Sequence, residues 1–242
     1  MNLQQAIAAV QPPCEDSREA ARRRFSDIAI PLGSLGLLQD AVAQLAAIQR
    51  TVRPSIAKRA VVMFCADNGV VAQGVSQSGS EVTGIVARML AQGKSNVCRM
   101  AALADCRVLP VDMGIRDFAP FPGVIDRRIG NGTQDITEGP AMPREAACRA
   151  ILAGIELVRE QQAQGVRLLA TGEMGIGNTT TSAAVTAALT GADVYTVTGR
   201  GAGLSSAGLS RKVCVIQTAL ALHRPDPDDP MDVLHKVGGL DI

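Results

Sequence analysis

An α/β fold is what this sequence predicts: a mostly parallel sheet with helices on both faces, plus a small helical subdomain from the N-terminus. Three observations carry the prediction. Short unbroken apolar runs such as AVVMFCA, residues 60–66, read as strands buried on both faces, the kind found in parallel sheets. The stretches between such runs carry apolar residues at three- and four-residue intervals, which is helical spacing. Each run closes in Asp or Gly, so strand and helix alternate with marked joins and imply right-handed βαβ units. At 242 residues and 47% hydrophobic, the chain can bury one substantial core with a small appendage. The expected division is a helical subdomain over residues 1–55 and a sheet domain over residues 56–242.

The elements follow in order. After a polar opening and the pair Pro12-Pro13, residues Leu35, Leu38, Val42, Leu45 and Ile48 mark an amphipathic helix over residues 34–50. Pro54 separates it from the first strand, which ends in Asp67-Asn68-Gly69. Helical stretches over residues 81–91 and 95–104 lead to a second strand over residues 107–114, closed by Asp112 and Gly114. Pro110 lies inside that run, and proline favours sheet edges. Residues 115–143 are rich in Gly and Pro and carry Arg116, Asp117, Arg127, Arg128, Asn131 and Thr133. An irregular region of this length is uncommon unless functional; the other reading is a solvent-exposed crossover. Met142-Pro143-Arg144-Glu145 opens a helix to Gln164, Gly165 stops it, and residues 166–172 supply a third strand. A helix runs from Asn178 or Thr179 to about Thr190, residues 192–199 read as a fourth strand, and another helix runs from Ser206 to about Leu222.

Composition narrows the function. The net charge is +1, with 24 basic and 23 acidic side chains, and there is no Trp, one Tyr and four Phe. That leaves neither a basic stripe for a nucleic-acid backbone nor stacking platforms for bases. No basic leader and no run of eighteen apolar residues occurs, so neither export nor membrane insertion is expected and the cytoplasm is the default. Cys14, Cys65, Cys98, Cys106, Cys148 and Cys214 form no CxxC, and His223 and His235 stand at no ligand spacing, so no metal site is expected. The cysteines read as small apolar residues.

The chemistry concentrates in TGEMGIGNTT, residues 171–180, at the carboxyl end of the third strand and the start of a helix. Open α/β sheets bind ligands at such ends. Gly172, Gly175 and Gly177 permit close backbone approach, while Asn178, Thr179 and Thr180 supply a cap and hydroxyls at a helix start that favours anions. Phosphate binding is the indicated chemistry; an ordinary strand-to-helix turn with a Thr cap has the same composition. Glu173 points further, because a carboxylate beside a phosphate cradle repels the anion and suits proton transfer or a cationic or N–H-bearing group. Asp67 and Asp112 also close strands, so three carboxylates are expected along one rim of the sheet, although each acid alone also suits a turn or a cap. TGRGAGLSS, with Gly201 and the nearby Arg200, Arg211 and Lys212, offers a second phosphate-competent turn; Arg211 and Lys212 also fit a solvated helix face. From these turns alone, another α/β enzyme acting on phosphorylated sugars remains open.

ADNGVVAQGVSQSGSEVT, TGEMGIGNTT and the closing DVLHKVGGLDI together resemble the nicotinate-nucleotide:dimethylbenzimidazole phosphoribosyltransferase family over essentially the whole chain. The resemblance implies transfer of phosphoribosyl from β-nicotinate mononucleotide to 5,6-dimethylbenzimidazole with inversion, giving α-ribazole 5′-phosphate and nicotinate for cobalamin. It implies a Rossmann-like parallel sheet with a small helical domain, a homodimer, and neither metal nor other cofactor. Carried over by position, Glu173 matches the active-site glutamate, Gly175, Asn178, Thr179 and Thr180 the loop around the phosphate, Lys212 a lysine that contacts it, and Ser78 the segment lining the benzimidazole pocket. Family members continue past GGLDI into further βα structure with the glutamate regarded as general base. The chain is therefore expected to be C-terminally truncated, with an apolar strand-like start after Gly238-Gly239. A catalytically impaired relative that only binds the nucleotide or the benzimidazole is the alternative expectation.

Overall fold

The computed structural model describes residues 2–242. They form two compact units, one ending at Ala57 and the other spanning Lys58–Ile242.

The first unit holds α1 (Leu3–Ala8), α2 (Glu15–Ser26) and α3 (Leu37–Gln49). Asn2 and Gln5 cap α1 reciprocally, each side-chain oxygen accepting from the other's backbone N–H at 2.8 and 2.9 Å. Helix α2 has almost no apolar period to read, but Glu15 and Asp16 open it and Arg23 and Arg24 close it, which complements the helix dipole. It packs on α3, with Ala21 buried on one helix and Ala43, Ala46 and Ala47 on the other. The buried face of α3 is therefore this alanine stripe, and Leu38 and Ile48 of the expected stripe are exposed. The N-terminal end of the expected helix is also cut back, since Gly36 caps α3 at φ +50°.

The second unit is built on strand β1 (Arg59–Ala66), a 3-10 turn at Gly69–Gln73, α4 (Glu81–Ala91), α5 (Asn96–Leu103), β2 (Cys106–Gly114), β3 (Ile125–Asp126), α6 (Arg144–Ala163) and β4 (Leu168–Met174). It continues through α7 (Asn178–Thr190), α8 (Val194–Val197), α9 (Ser206–His223) and α10 (Pro230–Val237). The sheet has the order β3-β2-β1-β4 and every pairing is parallel. Two buried clusters pack against it. One gathers Val62, Val111, Met113, Leu157, Ile216 and Val233; the other gathers Cys65, Ala87, Leu90, Ile115 and Phe118. Alternating residues of β1 thus serve both clusters, as a doubly covered parallel strand requires. Burial pushes the Cys65 thiol up to about 12, so it behaves as an apolar residue.

Pro110 sits opposite Met63 of β1, while β3 pairs only with Val111 and Asp112. At Pro110 the outer side of β2 has no neighbour, so the missing N–H leaves no ladder bond unmade. Residues 115–143 are not a solvent-exposed crossover: Phe118, Thr133, Ile136, Ala141 and Met142 are buried. Their polar side chains hold the loop itself. Arg128 pairs with Asp112 at 2.8 Å, Arg116 donates to the Thr133 carbonyl at 2.9 Å, and Asn131 accepts from the Asp117 N–H at 2.9 Å.

Two expected strands are corrected. Residues 192–199 do not form a fourth strand; Asp193 accepts from the Thr196 N–H at 3.1 Å and caps the single turn of α8. A helical turn puts Val194 and Val197 on one side, where both pack on the core, whereas a strand would point them to opposite faces. The residues after Gly238 are not strand-like either. They follow α10, a helix the sequence reading did not mark: Asp229 accepts from the N–H groups of Met231 and Asp232, and Pro occupies the first helical position. Among the described residues no helix is long and apolar enough to cross a membrane.

Candidate functional site

Strand β4 ends at Met174, and its register places Glu173 opposite Phe64 of β1 while Cys65 faces Asp112 of β2. The carboxyl edge of the sheet therefore gathers Asp67, Asp112 and Glu173, as expected, but to different ends. Asp67 and Asp112 are buried and bind backbone: Asp67 Oδ2 accepts from the Arg116 N–H at 2.8 Å, and Asp112 Oδ1 accepts from the N–H groups of Gly114 and Ile115 at 3.0 and 2.8 Å. Glu173 alone of the three is open, and it lines two pockets at once.

The first pocket, about 220 Å³, is the more polar of the two and is walled by Ser76 and Gln77, the turn from Glu173 to Thr179, and Arg200, Gly201 and Ala202. Glycine is required in that turn for steric reasons. A Cβ at position 175 would overlap the Ala66 carbonyl and Asp241 Oδ2, and one at position 177, where φ is +92°, would lie 2.7 Å from Val71 Cγ2. Gly175→Ala is expected to lower stability by about 1–3 kcal/mol, read as an earlier urea midpoint; an unchanged midpoint would mean that the turn is loose. Across the pocket, Gly201 takes φ +54° and a Cβ there would crowd Thr179 Oγ1 at 3.0 Å and Lys212 Nζ at 3.6 Å. The two glycine turns and α9 thus converge on one point.

Lys212 is at that point. It is not on a solvated helix face but completely buried, donating to Thr179 Oγ1 at 2.7 Å and to the Gly199 carbonyl at 3.2 Å. No carboxylate pairs with it among the described residues. Burial lowers its affinity for the proton, and an ammonium held this way is a strong attractor for an anion. Thr180 is also fully buried, and its Oγ1 has no hydrogen-bond partner. Arg200 lines the pocket, but its guanidinium is tied to the Leu204 carbonyl and to Ser206 at 2.8 and 3.1 Å. Arg211 instead reaches the Gly74 carbonyl at 3.3 Å.

The second pocket, about 400 Å³, is largely apolar, with Phe64, Met113, Met142, Ile151 and Leu240 on its walls and Glu173 and Asp241 as its acids. Gly172 lines this pocket and not the polar one, and a Cβ there would meet the sulfur of Met63. Ser78 lines neither pocket; its neighbours Ser76 and Gln77 wall the polar one. Glu173 accepts a hydrogen bond from Asn178 Nδ2, and partial burial raises its carboxyl above the ordinary range. A carboxylate of this kind, between an anion-binding cavity and an apolar slot, is placed to take a proton from a ring N–H.

Asp241 was not singled out from sequence. It is 3% exposed and accepts from Asn68 Nδ2 at 3.4 Å, while burial above all raises its carboxyl to about 7. Only its aspartate-after-apolar-run pattern, Gly239-Leu240-Asp241, could have marked it. The native state then holds a proton that the unfolded chain releases near the ordinary value of 3.8, so stability falls as pH rises from about 4 through about 7. Asp241→Asn is expected to flatten that slope in denaturation curves collected across pH; an identical slope would place the titration elsewhere. Among the described residues no group of three or more His, Cys, Asp or Glu is arranged to hold a metal ion.

Comparison with known proteins finds relatives over nearly the whole chain. A family model described as phosphoribosyltransferase matches residues 10–242. The nicotinate-nucleotide–dimethylbenzimidazole phosphoribosyltransferase of Ruminiclostridium cellulolyticum is 42% identical over 242 residues, covering 100% of this chain and 69% of that protein. Its namesake from Roseiflexus sp. is 45% identical over 241 residues, covering 99% of this chain and 68% of that protein. The crystal structure of CobT from Thermus thermophilus superimposes with a TM-score of 0.88 at 41% identity, covering 93% of this chain and 68% of that one.

Proposed function

Because this chain belongs to the nicotinate-nucleotide–dimethylbenzimidazole phosphoribosyltransferase family, we propose that it transfers phosphoribosyl from nicotinate mononucleotide to 5,6-dimethylbenzimidazole, giving α-ribazole 5′-phosphate and nicotinate. The observation that carries the reading is the buried, carboxylate-free Lys212 ammonium directly behind Thr179 and Gly201, two walls of the pocket that shares Glu173 with an apolar one. The nucleotide phosphate binds among Gly175, Asn178, Thr179, Thr180 and Gly201, where the N-terminus of α7 and Lys212 supply positive potential.

With the phosphate fixed, the ribose C1′ lies toward Glu173. The bond from C1′ to the nicotinate ring nitrogen breaks, its electron pair returning to that nitrogen, and a benzimidazole nitrogen bonds to C1′ from the opposite face. The cationic adduct then loses the proton on its other ring nitrogen to the Glu173 carboxylate. Fixing both reactants contributes through proximity, and the carboxylate stabilises positive charge as it develops on ribose and base. Partial burial strengthens that interaction and raises the proton affinity of the acceptor. Ser76 and Gln77, next to Ser78, wall the cavity that takes the phosphate, and Gly172 lines the apolar slot. The family resemblance carries two further proposals, assembly as a homodimer and residence in the cytoplasm.

The cradle is tested by comparing binding of nicotinate mononucleotide and of nicotinate riboside, which lacks the phosphate, by calorimetry. The mononucleotide is expected to bind about 100-fold more tightly, the worth of a few charge-assisted hydrogen bonds. Equal affinities would remove the phosphate from this pocket.

A further inference from the structure

Helix α4 buries Thr83, Gly84, Ala87 and Leu90, so its inward stripe is apolar except for one hydroxyl. Ala87 and Leu90 anchor that stripe in the cluster of Cys65, Ile115 and Phe118. Packing alone gives no reason for a hydroxyl at position 83, which is completely buried. A threonine in a helix commonly turns its hydroxyl onto the carbonyl four residues back, as Thr186 and Thr190 do in α7 at 2.8 and 2.7 Å. Thr83 instead reaches out of its helix, and its Oγ1 accepts from the Ile176 N–H at 3.1 Å. Ile176 lies in the turn between β4, which ends at Met174, and α7, which begins at Asn178, so neither element gives that N–H a partner. The same peptide unit is held at its other end, since the Gly175 carbonyl accepts from the Asn178 N–H at 3.1 Å. Glycine at its first position would otherwise leave this peptide free to rotate. The N–H groups of Gly177 and Thr179 have no hydrogen-bond partner among the described residues, and both residues wall the polar pocket. Inward-bonded N–H groups at Ile176, Asn178 and Thr180 thus alternate with open ones at Gly177 and Thr179.

We propose that Thr83 is a positioning residue for the phosphate: by holding the Ile176 N–H from α4, its hydroxyl fixes the peptide between Gly175 and Ile176 and keeps the Gly177 and Thr179 N–H groups set for an anion. The inference rests on the reading of this pocket as the phosphate site. Thr83 lines neither pocket, so it acts through the turn and not by contact. Open N–H groups at a turn attract an anion only while their spacing is kept, and that spacing depends on the peptides between them. Without the hydroxyl the Ile176 N–H loses its partner, and leaving such a group unpaired inside the protein is costly. The peptide then turns toward water and draws the Gly175 carbonyl off the Asn178 N–H at the start of α7. A phosphate entering the pocket has to restore the turn, and the nucleotide binds more weakly by that amount.

The test measures affinity for nicotinate mononucleotide and for nicotinate riboside in the wild type, Thr83→Val and Thr83→Ser, with hydrogen exchange of the Ile176 amide followed by NMR. Thr83→Val keeps the size of the side chain and removes the acceptor. It is expected to bind the mononucleotide about 10-fold more weakly while riboside affinity holds, and to exchange the Ile176 amide about 10-fold faster. Thr83→Ser loses a buried methyl and with it some stability, yet it keeps the acceptor. Its mononucleotide affinity and Ile176 protection are therefore expected to stay close to the wild type. A side chain that merely filled space would give the opposite order, with Thr83→Ser the more damaged, and would weaken both ligands alike. Mononucleotide affinity that Thr83→Val leaves unchanged, or a loss shared equally with the riboside, overturns the positioning role. Where Thr83→Val fails to fold, Thr83→Ala against Thr83→Ser makes the same comparison, because both lack the methyl and only one lacks the hydroxyl. A wild type that binds the two ligands equally would remove the phosphate reading and this role with it, whereas a wild-type preference that Thr83→Val preserves removes the role alone.

Discussion

Glu173→Gln is expected to lower phosphoribosyl transfer by about 10²- to 10⁴-fold, the usual worth of a positioned acid or base, while nicotinate mononucleotide binds within a few-fold of the wild type. The amide keeps the size of the side chain and a carbonyl oxygen to accept from Asn178 Nδ2, so the turn that holds the phosphate is preserved. What disappears is the charge at the junction, which acts only as positive charge develops on ribose and base. An effect confined to the chemical step appears in kcat and in kcat/KM alike. Steady-state kinetics with the base saturating, beside calorimetry of nucleotide binding, separates the two. Loss of nucleotide affinity as large as the loss of turnover would make Glu173 a binding residue.

Lys212→Met reverses the pattern. The substitution keeps the volume of a fully buried side chain and removes its charge, so nucleotide affinity is expected to fall about 10- to 100-fold, with a smaller change in kcat. Stability carries a second signature. In the empty protein the ammonium has only Thr179 Oγ1 and the Gly199 carbonyl, so burial costs free energy that methionine does not incur. The urea midpoint is therefore expected to hold or rise while binding weakens. A lower midpoint together with unchanged affinity would show that Lys212 braces the two turns and holds no phosphate.

How much of this was legible in sequence follows from how local each signal is. The β4 to α7 turn was, because glycines, a strand end and a helix start lie within ten residues and their chemistry needs no distant partner. Strand β1 was too, since both of its faces are covered and its apolar run is unbroken. The segment around Val194 was not: alternating apolar residues satisfy a strand and a single helical turn alike, and the choice fell to Asp193 as a cap and to the core beneath Val194 and Val197. Two-residue β3 has too little sequence to carry any period. Helix α3 shows the limit of stripe reading, since alanine spacing matched a neighbouring helix better than the leucines beside it. At the site, Lys212 was found as a type and a place, but its burial is a property of three segments closing together. Asp241 had no local signal for a role: it lies more than 170 residues from Asn68, and only the fold brings them together.

The most direct measurement incubates the purified chain with nicotinate mononucleotide and 5,6-dimethylbenzimidazole and follows α-ribazole 5′-phosphate by chromatography, with nicotinate release as the matching product. Equal amounts of both, dependent on the base and lost in Glu173→Gln, are the expected result. Nucleotide binding with no transfer under any base concentration would contradict the account, leaving a phosphate cradle without its chemistry.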